Sequence, residues 1–292
     1  MDYVVNIDGR LCGPDDAVIP VVDRGFLYGD SVYEVIRTYD GRLFALGEHL
    51  DRLSRSAQRL FIDLPERDWL EEQVRGTLQH GSFPESYCRI IVTRGSGPIT
   101  LDPTTAEKPR TVILVKPFVP YPDWMYANGI KILIPSVRRT PPASLDPAIK
   151  SGNYLNSILA LGEARRAGYD DALMLDTQGR VTEFTAANVF VWKDQKLLTP
   201  ALETGILDGV TRGVLLLLAR SAGLSCRESF LTRADLEAAD EVLLTSTLRE
   251  VLPVVRIDEH PVGTGLPGPI TRSLHQRFLE YVRDRIRKDH TP

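Results

Sequence analysis

Apolar and polar residues alternate in several short runs in the first third of the chain, and alternation is the pattern of a half-buried strand. The runs "DYVVNI" and "RLCG" flank the pair Asp8-Gly9, and "SVYEVIRTY" precedes a second such pair, Asp40-Gly41. Asp-Gly favours the tight turns that join antiparallel strands. The pattern therefore predicts two β-hairpins, and "SYCRIIVTRG" and "RTVILVKPF" predict two further strands.

Two segments between these strands have helical periodicity instead. In "GEHLDRLSRSAQRLFI" the apolar residues recur at Leu50, Leu53, Ala57 and Leu60, which places them on one face of a helix. The segment "ERDWLEEQVRGTLQHG" predicts a second helix, which stops at Gly81. The first part of the chain is thus predicted to combine a sheet with amphipathic helices.

The segment "PFVPYPD" separates two parts of the chain. It has three prolines in seven residues, from Pro117 to Asp123. Proline holds a chain extended and cannot donate to a strand ladder, so this segment is predicted to connect domains. We expect a small α+β domain over residues 1–117, a linker over 118–124 and a larger domain over 125–292.

The second part predicts several strands and three long helices. "GIKILIPSV" predicts one strand, and residues 171–200 predict three or four antiparallel strands with tight turns between them. Helices are predicted between Lys150 and Gly168, after an N-cap at Asp208, and at the C-terminus in "PITRSLHQRFLEYVRDRIRK". The predicted fold class is α+β, with two domains and mainly antiparallel sheets, because strands and helices do not alternate as in a doubly wound Rossmann domain.

Composition narrows the classes of function. The 292 residues are 43% hydrophobic and 25% charged, and the net charge of −4 gives no basic surface for nucleic acid or an acidic membrane. The apolar run 214–219 is too short to span a bilayer, and we expect no secretory signal at the N-terminus. Three distant cysteines and five unclustered histidines predict a cytoplasmic protein without a metal site. An enzyme or a small-molecule binding protein fits these properties.

Three features offer groups that bind a phosphate. In "LDGVTRG" a helix is predicted to begin near Val210 and Thr211, whose backbone N–H groups would lack intrahelical acceptors. In "TSTLRE", Ser246 and Thr247 add two hydroxyls at a bend between strands. Arg52 adds a cation on an amphipathic helix. Each feature alone is also typical of a capped helix, a strand end or a surface arginine.

Lys150 lies just before a predicted helix start, where a lysine is unusual because its charge suits the other end of a helix. A lysine amine forms an imine with an aldehyde, and pyridoxal 5′-phosphate is an aldehyde that carries a phosphate and a pyridine ring. Such a ring needs a carboxylate at its nitrogen and benefits from a donor at its phenolic oxygen. Glu183 and Tyr154 offer these two groups, while a solvated loop lysine is the alternative interpretation of Lys150.

Six motifs occur in the order found in one enzyme family. They are "DRGFLYGDSVYEVIRTYDG", "EHLDRLSRSA", "IKSGNYLNSILALGEA", "VTEFTAANVFV", "LDGVTRG" and "TSTLREVLPV". Over nearly its whole length the chain resembles the class IV (fold type IV) pyridoxal-phosphate aminotransferases, which include branched-chain amino acid aminotransferases, D-amino acid aminotransferases and aminodeoxychorismate lyases. The resemblance implies the two-domain fold of that family, with pyridoxal 5′-phosphate as cofactor and residues 125–292 as the large domain that binds it. It also implies a homodimer or a multiple of it, with sites at the subunit boundary.

The resemblance also implies roles for particular residues. Lys150 would form the Schiff base with the cofactor and would act as the general acid and base. Glu183 would pair with the pyridine nitrogen, and Tyr154 would donate to the phenolic oxygen. The residues expected to hold the phosphate are Arg52, Val210, Thr211, Ser246 and Thr247.

Expectations about the substrate come from the strand and loop "YCRIIVTRGSGPITLDP". This segment resembles the Tyr-x-Arg strand of bacterial and archaeal branched-chain enzymes, so Tyr87 and Arg89 are expected to contact the substrate. Tyr28 and Tyr33 are expected to line the pocket, with Tyr28 reaching in from the neighbouring subunit. The Arg-x-His carboxylate trap of D-amino acid enzymes is absent at residues 99–101. This absence favours a branched-chain L-amino acid, with an α-keto acid such as 2-oxoglutarate.

Two departures keep other members of the family open. Branched-chain enzymes have Gly-Thr-Ala-Ala where this chain has "STLR" at 246–249, and a glycine-rich turn where it has "FTAA" at 184–187. The "TST" triplet is closer to D-amino acid aminotransferases, for which (R)-amines are further candidate substrates. An aminodeoxychorismate lyase fits the loop less well, and a non-enzymatic binding protein would be expected to lack the lysine or the glutamate.

Arg249 belongs to the first of these unusual segments. We expect its guanidinium to pair with Glu250 or Asp240 at the surface, because charged side chains are mostly solvated. The alternative is that Arg249 offers a second contact for the substrate carboxylate.

Overall fold

The computed structural model describes residues 3–288, which divide into two units. The first unit runs to Val119 and includes Ile149–Asn153, and the second comprises Pro120–Ala148 and resumes at Tyr154. The short segment that carries Lys150 therefore belongs to the first unit by its contacts, although the domain boundaries predicted from the sequence place it in the second domain. The predicted boundaries, at residues 117 and 125, stay a prediction.

The first unit is a single antiparallel sheet covered by helices. Its sheet has the strand order β2-β1-β6-β5-β3-β4, and each neighbouring pair is antiparallel. Two of these pairs are the hairpins predicted at the two Asp-Gly turns, which are confirmed. In chain order the elements are β1 (Val4–Ile7), β2 (Arg10–Cys12), α1 (Arg24–Tyr28), β3 (Ser31–Tyr39), β4 (Arg42–Leu43), α2 (Leu46–Leu60), α3 (Arg67–Gly81), β5 (Ser86–Thr93) and β6 (Arg110–Pro117).

The core of the first unit lies between one face of this sheet and helices α2 and α3. Val32 and Ile36 of β3 contact this core together with Leu50 and Leu53 of α2, and all four are buried. Successive side chains of a strand point to opposite faces, so the residues between the apolar positions of β3 and β5 face away from the helices. That second face carries Tyr33 and the other polar residues of the candidate site.

The second unit is built on a larger sheet with mixed connections. Its order is β12-β11-β10-β13-β14-β7-β8-β9, with β15 added to β14, and the pairs β11–β12, β14–β7 and β7–β8 are parallel. In chain order the elements are α4 (Asp123–Asn128), β7 (Ile130–Leu133), α5 (Leu155–Arg166), β8 (Asp171–Leu175), β9 (Val181–Phe184), β10 (Asn188–Lys193), β11 (Lys196–Pro200), α6 (Val210–Ser221), β12 (Ser225–Ser229), α7 (Arg233–Glu237), β13 (Glu241–Ser246), β14 (Glu250–Ile257), β15 (His260–Pro261) and α8 (Pro269–Lys288).

The long periodic segments of the second unit form the predicted elements. The four strands between residues 171 and 200, the helix after Lys150 and the C-terminal helix are all present. One predicted boundary is wrong, because α6 has Gly209 and not Asp208 at its N-cap, and no side chain caps it. Within the described residues, no helix is both long and apolar enough to cross a membrane.

Candidate active site

The backbone around Lys150 is fixed as an addition to the free edge of β3. The Tyr33 N–H donates to the Lys150 carbonyl at 3.0 Å, and the Gly152 N–H donates to the Ser31 carbonyl at 2.8 Å. On the other side, the Lys150 N–H donates to Ser56 Oγ at 3.1 Å. A strand edge leaves backbone groups without partners, and this segment supplies them. Lys150 is therefore held by a sheet edge and a helix, although it lies outside both.

The Lys150 amine lies among side chains that the sequence analysis assigned to the substrate. Its Nζ is 3.4 Å from the Tyr33 hydroxyl and 4.4 Å from the centre of the Tyr33 ring. The Arg89 guanidinium lies over the same ring at 4.0 Å, and Arg89 donates to the Tyr87 hydroxyl at 3.4 Å. The register of β3 and β5 explains this contact. Arg89 pairs with Val35, which lies on the same face of β3 as Tyr33. The structure thus brings together Lys150, Tyr33, Tyr87 and Arg89.

Tyr28 has a different setting in the same unit. It lies on α1, its side chain is exposed, and the Arg24 guanidinium lies 5.1 Å from its ring centre. Its contribution to a neighbouring subunit's pocket stays a prediction.

Arg52 is held on the core side of β3 by a buried carboxylate. Its Nε and Nη2 donate to the two oxygens of Glu34 at 2.7 and 2.8 Å, and His49 Nδ1 lies 2.8 Å from Glu34 as well. Burial alone would raise the pKa of Glu34, but the charge of Arg52, followed by His49, outweighs it and holds that pKa well below its ordinary value. Burial lowers the pKa of His49, against the pull of Glu34. An ionised Glu34 accepts only, so the neutral His49 donates from Nδ1.

The sequence analysis named Arg52 but missed Glu34 and His49. The sequence pattern could have revealed both residues. Glu34 occupies an inward position of β3 between Val32 and Ile36, and His49 adjoins Leu50 on the apolar face of α2. A carboxylate at a position that alternation buries needs a cationic partner. The predicted contact of Arg52 with a phosphate stays a prediction.

In the second unit, Glu183 is buried at the end of β9, and its partners include Arg139, Leu207 and Asn188. Arg139 Nη2 donates to Glu183 Oε1 at 2.6 Å. The Glu183 Oε2 accepts from the Leu207 N–H at 3.1 Å and from Asn188 Nδ2 at 3.3 Å. Sequence reasoning missed Arg139, which lies 44 residues before Glu183 in a loop without periodicity. These partners hold Glu183 as a carboxylate, because an ion pair and amide donors favour the charged form.

The start of helix α6 is joined to Glu183 through the same loop. Asn188 donates to the Leu207 carbonyl at 2.9 Å. A Cβ at Gly209 would lie 2.0 Å from Asn188 Oδ1, so only glycine permits this close approach. The N–H groups of Val210 and Thr211 then begin the helix without a side-chain cap, and a helix start of this kind attracts anions. A buried carboxylate and a helix start without a side-chain cap are therefore connected within one unit.

The remaining predicted residues also lie in the second unit. Tyr154 is half-buried at the N-cap of α5. Ser246 ends β13, and Thr247 follows it in the turn to β14. Arg249 is not a surface residue paired with Glu250 or Asp240, so that expectation is wrong. Its Nη1 donates to the buried Asp171 at 2.6 Å.

Each unit holds groups of the kinds that pyridoxal 5′-phosphate requires. A buried, ionised carboxylate suits a protonated ring nitrogen, and a glycine-capped helix start suits a phosphate. The first unit supplies an amine, at Lys150, and a fixed guanidinium, at Arg52.

Comparisons with known proteins agree with this chemistry. Residues 31–257 match a family model described as amino-transferase class IV. A protein of Methanocaldococcus jannaschii, named only provisionally as a branched-chain-amino-acid aminotransferase, is 41% identical over 277 residues, which are 94% of this chain and 95% of that protein. The crystal structure of branched-chain amino acid aminotransferase from Escherichia coli is similar with a TM-score of 0.92 and 31% identity, covering 96% of this chain and 94% of that one. The enzyme of the same name from Thermobaculum terrenum, solved in its PLP-bound holo-form, has a TM-score of 0.88 and 28% identity, covering 97% and 94%.

The neutral, buried His49 should make stability depend on pH. Its pKa is lowered in the folded protein, so the unfolded chain takes up a proton first as the pH falls below the ordinary value of 6.5. This contribution to stability is present above that pH and is lost below it. We expect His49→Gln, which keeps a donor for Glu34, to flatten the fall in the free energy of unfolding between about pH 7 and pH 5, by at most about 1.4 kcal/mol per pH unit for one proton.

Urea unfolding at several pH values measures this effect. The matched control is His80→Gln on the exposed face of α3, which should keep the wild-type slope. Equal slopes for His49→Gln and the wild type would contradict the assignment of a neutral His49.

Proposed function

This chain belongs to the class IV aminotransferases, and we propose that it is a branched-chain amino acid aminotransferase. It would move the amino group of a branched-chain L-amino acid to an α-keto acid such as 2-oxoglutarate. The observation that carries the proposal is the Lys150 amine, which is fixed beside Tyr33 on the face that Tyr87 and Arg89 share. The names of the E. coli and T. terrenum enzymes support the substrate class.

The cofactor of this family is pyridoxal 5′-phosphate, which supplies an aldehyde for the amino group and a ring that withdraws electrons from the substrate. Lys150 would bind it covalently through Nζ and, once released, would move the proton at the substrate α-carbon. The hydrogen-bonded backbone on both sides of Lys150 restricts where Nζ reaches. Such restriction favours a defined geometry for proton transfer.

Glu183 would hold the ring nitrogen protonated, and Tyr154 would donate to the phenolic oxygen. Arg139 supports the first role, because its cation keeps Glu183 ionised in a buried position. The proposed phosphate-binding groups combine a cation, two backbone amides and two hydroxyls, in Arg52, Val210, Thr211, Ser246 and Thr247.

Tyr87 and Arg89 would bind the substrate, with Tyr33 and Tyr28 lining its pocket. Arg89 is the cation of this cluster that suits a carboxylate, and its stacking on Tyr33 limits its rotation. The D-amino acid reaction is the second candidate, and the "TST" triplet at 245–247 favours it.

The enzyme is further proposed to work in the cytoplasm as a homodimer. Phe26, Ile99 and Leu101 of the first unit are 66%, 75% and 79% exposed. Arg24, on the helix of Phe26, donates to the carbonyls of Thr100 and Leu101, so these two segments lie together. Exposed apolar side chains that lie together are commonly covered by a partner. A second copy of the chain is the partner that the family resemblance implies.

The protein loaded with cofactor should be yellow, and borohydride reduction should attach the cofactor to Lys150, because an imine becomes a stable amine when it is reduced. Peptide mapping locates the label. Lys150→Ala should lose transamination by several orders of magnitude, while its circular dichroism stays that of the wild type. A label on Lys131 or Lys116 would contradict the proposal.

Glu183→Gln should retain the cofactor but lower kcat at least about ten-fold, equivalent to about 1.4 kcal/mol in the barrier. The neutral amide no longer holds the ring nitrogen protonated. Steady-state kinetics at saturating cofactor measures the loss, and Glu203→Gln, at an exposed position of the same unit, is the control. A Glu183→Gln variant as fast as this control would rule out the assigned role.

A substrate panel separates the candidate reactions. L-leucine, L-valine, D-alanine, D-glutamate and (R)-1-phenylethylamine would each be tested with 2-oxoglutarate and with pyruvate. We expect the highest kcat/KM for L-leucine or L-valine with 2-oxoglutarate. A preference for D-alanine would support the D-amino acid reaction, and turnover of the amine would mean that the site does not require a carboxylate.

A further inference from the structure

The turn between β13 and β14 is attached to the interior by Arg249. The side chains of Arg249 and Asp171 are only 11% and 3% exposed, and their ion pair is 2.6 Å long. Burying both charges is costly unless each keeps its partner. The guanidinium is therefore committed to Asp171, which argues against its use as a second contact for the substrate carboxylate.

Asp171 links this turn to the end of strand β9. Its Oδ2 accepts from Arg249, while its Oδ1 accepts from the Thr185 hydroxyl at 2.6 Å and from the Ala172 N–H at 2.8 Å. Thr185 comes two residues after Glu183, the proposed partner of the ring nitrogen. One buried carboxylate thus connects the turn that carries Ser246 and Thr247 with the strand that carries Glu183.

The backbone of Arg249 is fixed as well. Its N–H donates to Ser246 Oγ at 3.1 Å, and its carbonyl accepts from the Tyr126 hydroxyl at 3.4 Å. The next residue, Glu250, has a left-handed φ of 55° and lies 2.8 Å from His275, whose ring stacks on Tyr126. Since Ser246 Oγ accepts from Arg249, its own hydrogen remains available to donate elsewhere.

We propose that Arg249 is a positioning residue, which through Asp171 holds the β13–β14 turn so that Ser246 and Thr247 bind the phosphate of the cofactor. The inference rests on the proposed function and adds a part to its phosphate site. Branched-chain enzymes have Gly-Thr-Ala-Ala in this segment, where this chain has Arg249. The inference explains this arginine, because Asp171 of the same chain provides the carboxylate with which it pairs.

The test compares the binding of two cofactors that differ only in the phosphate. Full-length apoprotein would be titrated with pyridoxal 5′-phosphate and with pyridoxal, and the visible absorbance followed. Arg249→Met should weaken binding of the phosphate ester at least about ten-fold, or about 1.4 kcal/mol, and leave pyridoxal binding unchanged. Arg249→Lys should recover part of the loss, because the charge beside Asp171 is retained.

Two further variants test the route through Asp171. Asp171→Asn should produce a similar loss, and its combination with Arg249→Met should be no worse than either change alone. The control is Arg256→Met, on the strand β14 that follows the turn, which removes the more exposed ion pair with Glu259. It should bind both cofactors as the wild type does.

Other outcomes are distinguishable. Equal losses for both cofactors would overturn the inference, because they indicate a general disturbance of the fold. Unchanged cofactor binding with a raised KM for amino acids would also overturn it, in favour of a direct substrate contact. If Arg249→Met does not fold, the binding of the two cofactors is compared instead in Arg249→Lys and in Thr185→Val. The second variant keeps the ion pair between Arg249 and Asp171. A wild type that binds neither cofactor would instead overturn the proposed function.

Discussion

The pairing of the Lys150 segment with the edge of β3 is the constraint on which the candidate site depends. Two backbone hydrogen bonds, from Tyr33 and from Gly152, fix the segment beside the strand. The same strand directs Tyr33 toward the Lys150 amine and Glu34 toward Arg52 on the opposite face, because successive side chains alternate. One strand therefore positions the Lys150 amine on one face and orients a buried guanidinium on the other.

Three buried carboxylates are each paired with an arginine, which offsets the cost of burying their charge. Glu34 has Arg52, Glu183 has Arg139, and Asp171 has Arg249 as its partner. An ion pair in the interior contributes little net stability, but removal of either partner leaves an uncompensated charge. Such pairs therefore restrict where the charged groups lie. Glu183 is itself assigned a cofactor contact, and Glu34 is one hydrogen bond from Arg52. Asp171 reaches Ser246 through Arg249.

Membership of the class IV aminotransferases confirms the resemblance that the motifs indicated. With it, the α+β fold with antiparallel-rich sheets, the aminotransferase reaction and pyridoxal 5′-phosphate as cofactor are confirmed. The roles of Lys150, Glu183 and the phosphate-binding residues stay proposals that the contacts within each unit support. The segment 246–249 departs from the branched-chain pattern, and Arg249 there has a structural partner, Asp171.

The sequence by itself determined the local elements and the residue types available to the candidate site. Alternation and Asp-Gly turns predicted the hairpins of the first unit, and helical periodicity predicted α2 and α3, because these signals depend on near neighbours. Only the tertiary structure decided which charges meet. Arg139 and Glu183 are 44 residues apart, and Arg249 and Asp171 are 78 apart, so no periodic pattern joins them. The helix cap at Gly209 was decided in the same way, by the close approach of Asn188 to the backbone, which the local sequence does not report.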